Sequence, residues 1–295
     1  MDAPIFTGFD EWDIEVAPGI ALHGRSGGTG PPIVLLHGHP RTHATWHLVA
    51  PALAAEGHTV ICPDLRGYGR SGKPAPDPEH HAYCDRTMAA DIAVLMSALG
   101  HYRFAICGHD RGAYVAYRAA LDLPERVSAL AVADGVPIVE ALERADRRFA
   151  TEWWHWFFLG ASPHAERVIN ANPWAWYRLD EATMGAGNHR DAAAAVADPR
   201  TVRAMLEDYR AGLTVDPEID EADRRAGHRI AAPTLVMWSR LDDMAALYGD
   251  PGEIWKSWCE QSVYTAVIES GHHMAELAPG QMVEALRGFL DEAAA

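Results

Sequence analysis

The chain has 295 residues, 48% of them apolar, with 25 basic against 41 acidic side chains and a formal charge of −16. That balance disfavours nucleic acid and anionic membrane as partners, and an anionic substrate would need a buried cation of its own against the overall field. No stretch reaches the roughly 18 consecutive apolar residues of a membrane span, and the start Met1-Asp2-Ala3-Pro4-Ile5-Phe6 has neither a basic head nor an apolar signal core, so the expected compartment is the cytoplasm.

In chain order, apolar runs that read as strands are Pro32–Leu36, Thr59–Cys62, Phe104–Cys107, Ala129–Ala133, Thr234–Trp238 and Thr265–Ile268. Near-continuous apolar strands of this kind suit a parallel sheet covered on both faces. Between them Met88, Ile92, Leu95 and Leu99 fall at helical spacing, with Gly100 where a helix-ending glycine belongs, and Gln281 to Leu290 reads as a closing helix. The cysteines Cys62, Cys84, Cys107 and Cys259 lack metal or disulfide spacing and read as reduced thiols, Cys62 and Cys107 in the core.

His37-Gly38-His39-Pro40 follows the strand ending at Leu36, in the place of a loop that lends a backbone N–H to an oxyanion hole. Further on, Gly67-Tyr68-Gly69-Arg70-Ser71-Gly72 matches a dinucleotide pattern, but Lys73-Pro74 and then Pro76 and Pro78 stand where a helix should begin, so a nucleotide role is not expected.

The most informative stretch is Gly108-His109-Asp110-Arg111-Gly112, between the run Phe104–Cys107 and a helical segment from Ala113 to Leu121. A strand, a turn with glycine at both ends and then a helix is the layout of a nucleophile elbow. Its apex here is aspartate instead of serine, which points to displacement at a saturated carbon through an aspartyl ester that water later opens. The N–H of Arg111 is the second oxyanion donor beside that of His39. The Arg111 side chain sits where the helix dipole disfavours a cation, so it needs either an ion pair or a substrate carboxylate.

Asp134 closes the run Ala129–Ala133, and His272 follows the last strand, which gives the order nucleophile, acid, histidine. Asp242, after Thr234–Trp238, is a second candidate acid; Asp134 is the preferred one, and His273 is expected to turn away from the site. From Pro137 to Leu213 the strand rhythm stops and five of the ten tryptophans gather: Trp153, Trp154, Trp156, Trp174 and Trp176. That segment reads as a helical cap over the carboxyl ends of the strands, where open α/β sheets bind ligands. Residues 1–136 and 214–295 are then the core, and 137–213 the cap. His155, Trp156 and Tyr209 offer neutral donors that could form an anion pocket for a departing halide.

These motifs resemble the α/β-hydrolase superfamily and, within it, the haloacetate (fluoroacetate) dehalogenases. The resemblance rests on His37-Gly38-x-Pro40, Asp64-Leu65-Arg66-Gly67-Tyr68-Gly69, the Gly-His-Asp-Arg-Gly elbow, Asp134, His155-Trp156, Asp208-Tyr209-Arg210-Ala211-Gly212 and Gly271-His272. It implies an α/β-hydrolase fold: a mostly parallel eight-stranded sheet flanked by helices, with a helical cap inserted after strand six. It implies conversion of short 2-haloacids to 2-hydroxy acids, with Asp110 as nucleophile, His272 as base, Arg111 on the substrate carboxylate, no cofactor or metal, and a homodimer. Two departures stand out. The second arginine of the family's carboxylate clamp is Tyr114 here, and the usual phenylalanine of His-Gly-Phe-Pro is His39. Epoxide hydrolysis, with Tyr209 and Tyr177 as acids, is the alternative.

Overall fold

Alternate residues of a buried strand enter opposite layers, and residues 32–36 show it: Ile33 and Leu35 join one apolar cluster, Val34 and Leu36 the other. The computed structural model describes residues 5–160 and 163–293. The strands are β1 (Phe9–Ala17), β2 (Ile20–Gly27), β3 (Pro32–Leu36), β4 (Thr59–Pro63), β5 (Phe104–His109), β6 (Val127–Ala133), β7 (Thr234–Ser239) and β8 (Val263–Ile268). They form one sheet in the order β1-β2-β4-β3-β5-β6-β7-β8. β2 is antiparallel to both β1 and β4, and every other pairing is parallel. The six expected strands are all present. The added hairpin β1–β2 carries the alternation Trp12-Asp13-Ile14-Glu15-Val16 before the turn at Gly19, a half-exposed edge pattern that an all-apolar search passes over.

One face of the sheet is covered by the helices Asp85–Ala98 and Arg111–Asp122, whose Met88, Ile92, Leu95, Val115 and Ala119 pack on Ile106, Leu130 and Val132. The other is covered by Val49–Ala55 and Pro279–Ala293, through Leu53, Met282, Leu286 and Phe289. Gly100 has a φ of 85°, as a helix-ending glycine requires. All four cysteines are buried and free.

Between β6 and β7 the described residues form helices and no strand. The last of these, Val215–Ala226, is fastened to the core helix Arg111–Asp122: the Tyr117 hydroxyl donates to Asp220 at 2.7 Å and Arg118 Nη2 at 2.6 Å. The segment before it folds over the carboxyl ends of the strands and closes a cavity of about 300 Å³ above the end of β5. The stretch Gly67–Gly72 stays a loop, closed by Gly67 N–H on the Gly72 carbonyl at 2.9 Å, and no helix follows it. No described helix is long and apolar enough to cross a membrane.

Candidate active site

Asp110 stands between β5 and the helix Arg111–Asp122 with φ 52° and ψ −122°, a conformation that costs a non-glycine residue about 1–3 kcal/mol. The flanking glycines make the turn possible: a Cβ on Gly108 would lie 2.0 Å from the Gly112 carbonyl oxygen, and one on Gly112 would lie 2.5 Å from the Leu36 oxygen. The strain is held by the sheet, because Asp110 N–H donates to the Ala133 carbonyl at 3.0 Å.

The loop after β3 closes over the same carboxylate. His39 N–H donates to Asp110 Oδ1 at 2.6 Å, and the N–H of Arg111 adds a second backbone donor. His37 locks this loop in place: Nε2 accepts from Leu65 N–H at 3.1 Å, so Nδ1 carries the proton and donates to the Gly38 carbonyl at 3.0 Å. Burial holds His37 neutral, as that hydrogen-bond pattern needs.

His272 presents Nε2 to Asp110 Oδ2 at 3.7 Å. Its other nitrogen, Nδ1, faces both candidate acids: Asp242 Oδ2 at 2.9 Å and Asp134 Oδ2 at 3.5 Å. Asp134 is deeply buried and already engaged, accepting from the Ser239 N–H at 2.8 Å and the Ser239 hydroxyl at 2.7 Å. The nearer hydrogen-bond partner of His272 is therefore Asp242. Burial alone would raise the Asp110 carboxyl, but the hydrogen bond and charge of His272, the charge of His109 and the Arg111 N–H outweigh it and hold the pKa well below the ordinary range. Burial likewise opposes charge on His272, and the carboxylates of Asp110, Asp134 and Asp242 overcome it and raise its pKa well above the usual value.

The cavity is walled by Tyr114, His155, Trp156, Tyr177 and Tyr209 from the elbow helix and the cap. The three candidate halide donors thus share one chamber with Asp110. Burial keeps His155 neutral at ordinary pH, and it pushes the phenols of Tyr114 and Tyr209 well up.

Arg111 is placed differently from the expected carboxylate fork. Its guanidinium is 1% exposed and turned into the core, where Nε donates to Asp208 Oδ1 at 3.0 Å and Nη2 donates to the Asp208 carbonyl at 2.9 Å and to its carboxylate. The rings of Tyr114 and Tyr209 both lie over it, with centroids 4.9 Å from Cζ. Those rings, and not the guanidinium, form the cavity wall. A cation at a helix N-terminus is compensated here by a buried carboxylate nearly a hundred residues later. His273, expected to turn away, also lines the cavity, its ring centroid 5.1 Å from that of His272.

Sequence reading passed over three side chains. His109, within the elbow itself, donates Nε2–H to the His272 carbonyl at 2.8 Å and so ties the histidine loop to the nucleophile strand. Ser239 fixes Asp134, and Asp243 accepts from Trp153 Nε1 at 2.7 Å, linking the core loop after β7 to the cap. Only His109 had a local signal, its place beside the apex. Among the described residues, three groups have ligand atoms within 4.8 Å of one another: the histidines His109-His272-His273, and the mixed sets Asp134-Asp242-His272 and His23-His43-Asp64. Two of them contain His272, whose Nδ1 is already hydrogen-bonded. In the third, Asp64 accepts from His43 N–H, His43 Nδ1 and Arg70 N–H, so both of its oxygens are already engaged.

The alpha/beta hydrolase fold family matches residues 31–279. A fluoroacetate dehalogenase from Burkholderia sp. is 36% identical over 98% of this chain and 96% of its own. A soluble epoxide hydrolase from Corynebacterium sp. is 30% identical over 92% of this chain and 94% of its own. A Pseudomonas aeruginosa structure, provisionally assigned as an epoxide hydrolase, superposes with a TM-score of 0.90 at 38% identity, covering 99% of each chain.

Proposed function

This chain belongs to the alpha/beta hydrolase family, and within it we propose a hydrolytic dehalogenase that cleaves the carbon–halogen bond of short 2-halocarbonyl compounds, of which haloacetates are the reference members. One observation carries the reading: a single cavity holds Asp110 on its strained turn, His272 beside it, and His155, Trp156 and Tyr209 as neutral donors. The two relatives named above are, respectively, a dehalogenase and an epoxide hydrolase, and the first matches over more of the chain.

The two oxygens of Asp110 take different parts in this reading. Oδ1 is held by the His39 N–H, so Oδ2 is the attacking atom. Oδ2 bonds to the carbon α to the carbonyl as the carbon–halogen bond breaks, and the halide leaves towards the donors of the cap. A well-placed donor in a dry site is worth about 2.7–4 kcal/mol, by analogy with oxyanion holes. The ester has lost the Asp110 charge and hydrogen bond that help to keep His272 protonated, so the histidine gives up its proton and becomes a base. It takes a proton from water, hydroxide adds to the ester carbon, and the oxyanion on Oδ1 rests on the N–H groups of His39 and Arg111. Collapse expels the product alkoxide, which takes the proton back from His272, and the re-formed Asp110 carboxyl, now carrying the water oxygen, passes its proton to His272 to restore the resting pair. The net change is halide, one proton and the 2-hydroxy compound.

The test is intact mass and peptide mapping of His272→Ala after separate incubation with chloroacetate and chloroacetamide. A stable adduct on Asp110 from either, absent in Asp110→Asn, is expected. No adduct from either, with folded protein, overturns the reading. Epoxide opening is the second reading, and one observation favours it: Tyr177 and Tyr209 both line the cavity, and the Tyr177 hydroxyl is buried without a partner. An Asp110 adduct formed only with an epoxide would establish it.

A further inference from the structure

We propose that this site selects an uncharged 2-halocarbonyl compound, such as a 2-haloamide, over the 2-haloacid anion. The inference rests on the dehalogenase reading above and names the substrate class of that same site. It comes from the charges that face the cavity.

Four carboxylates line the chamber: Asp110, Asp134, Asp242 and Asp243. Among the described residues no lysine or arginine lines it. Of its histidines, burial holds His155 and His273 neutral and carries His39 down to about 3, which leaves His272 as the one imidazolium. An anionic substrate therefore meets four lining carboxylates against the imidazolium of His272 and, behind the wall, the charge of His109, inside a chain of formal charge −16. The cation that could offset this, Arg111, is paired with Asp208 through Nε and Nη2; its Nη1 is buried without a partner, and the rings of Tyr114 and Tyr209 that lie over the guanidinium, not the guanidinium itself, line the chamber. Tyr114 supplies a phenol and no charge, and a neutral hydrogen bond is roughly half as strong as a charge-assisted one.

The cavity offers neutral polar atoms in place of a clamp. His39 Nδ1 and Tyr177 Oη are both buried without a hydrogen-bond partner, and both residues line the cavity with ring centroids 5.4 Å apart. An unpartnered imidazole nitrogen and an unpartnered phenol on neighbouring rings offer an acceptor and a donor for a carbonyl or amide group. The carboxylates that repel an acid would accept hydrogen bonds from the N–H of an amide. The chemistry points the same way, because an anionic nucleophile meets less repulsion from an uncharged electrophile than from a carboxylate beside the reacting carbon.

Chloride release by the wild-type enzyme from chloroacetate and from chloroacetamide tests this directly. Release in Asp110→Asn is subtracted, and the ratio of the two rates is normalised to the ratio for uncatalysed alkylation of acetate. The expected result is a normalised kcat/KM higher for the amide by about tenfold or more. Equal values, or a preference for chloroacetate, overturn the proposal while leaving the dehalogenase reading intact. No chloride from either compound, together with no Asp110 adduct in His272→Ala, overturns that reading and the proposal with it.

Discussion

Asp242 Oδ2 lies 2.9 Å from His272 Nδ1, while Asp134, the acid that the sequence order favours, stands 3.5 Å from the same nitrogen with its oxygens already bonded to Ser239. The base of this site is therefore flanked by two carboxylates in different states of engagement. Asp242 is hydrogen-bonded to His272, whereas Asp134 is also held by the N–H and hydroxyl of Ser239.

Substitution separates the two roles. Asp242→Asn is expected to slow ester hydrolysis by about 10²-fold or more, because the hydrogen bond that sets the tautomer of His272 is lost. Asp134→Asn should slow it less, since Asp242 still orients the ring. Intact mass during turnover reads the difference as accumulation of the Asp110 ester in Asp242→Asn. Accumulation in Asp134→Asn alone would reverse the assignment.

The pH dependence follows from the same contacts. Asp110 is held well below the ordinary carboxylate range, so alkylation, followed in a single turnover, should be flat from about pH 5 to about pH 8. Ester hydrolysis requires neutral His272, and its rate should fall as pH drops through the pKa that the histidine has in the ester. Loss of the Asp110 charge lowers that pKa from its raised resting position, so the acid limb should lie below the imidazole titration of the free enzyme measured by NMR. An acid limb that coincides with that titration would show that the ester does not relieve His272.

Gly38 is a point where one methyl group should abolish the first step. A Cβ there would lie 2.3 Å from Asp110 Oδ1, the oxygen that the His39 N–H holds. Gly38→Ala must push the carboxylate or the loop aside, and displacement of a reacting group by about 1 Å can cost about 10²-fold. Alkylation of the variant by a chloroacetyl compound should fall by at least about that factor. A rate near wild type would mean that the loop gives way without disturbing the nucleophile.

How much of this was legible in the sequence follows a physical division. Short-range constraints leave marks. The glycines of the elbow, the apolar runs of β3 to β7 and the break in rhythm after β6 all follow from local sterics or from burial on both faces of a strand. The partner of Arg111 left no mark, because Asp208 is 97 residues away and only the folded cap brings it near. The choice between Asp134 and Asp242 also escaped, since both follow strands at the same edge and the decision rests on Ser239, a side chain in contact with one of them. The hairpin β1–β2 was hidden by its half-exposed alternation.

Asp243 links the acid loop to the cap and should make stability depend on pH. Burial, and then the charge of Asp242, raise its carboxyl to about 6. The folded state therefore binds this proton more tightly than the unfolded chain, so stability falls as pH rises from about 4 towards 6, and the cost is fully present above that window. Asn at 243 carries no charge to desolvate but keeps an acceptor for Trp153 Nε1, whose ring stacks on Trp156 with centroids 5.2 Å apart. Asp243→Asn should therefore gain Tm relative to wild type at pH 8 and little or nothing at pH 4, by calorimetry at both values. Asp243→Ala removes the acceptor as well, loosening Trp153 and through it the Trp156 donor, and should lower kcat where Asp243→Asn does not. If both variants lose the same activity, the ionised carboxylate itself serves the reaction, and the cap linkage is not what matters at this position.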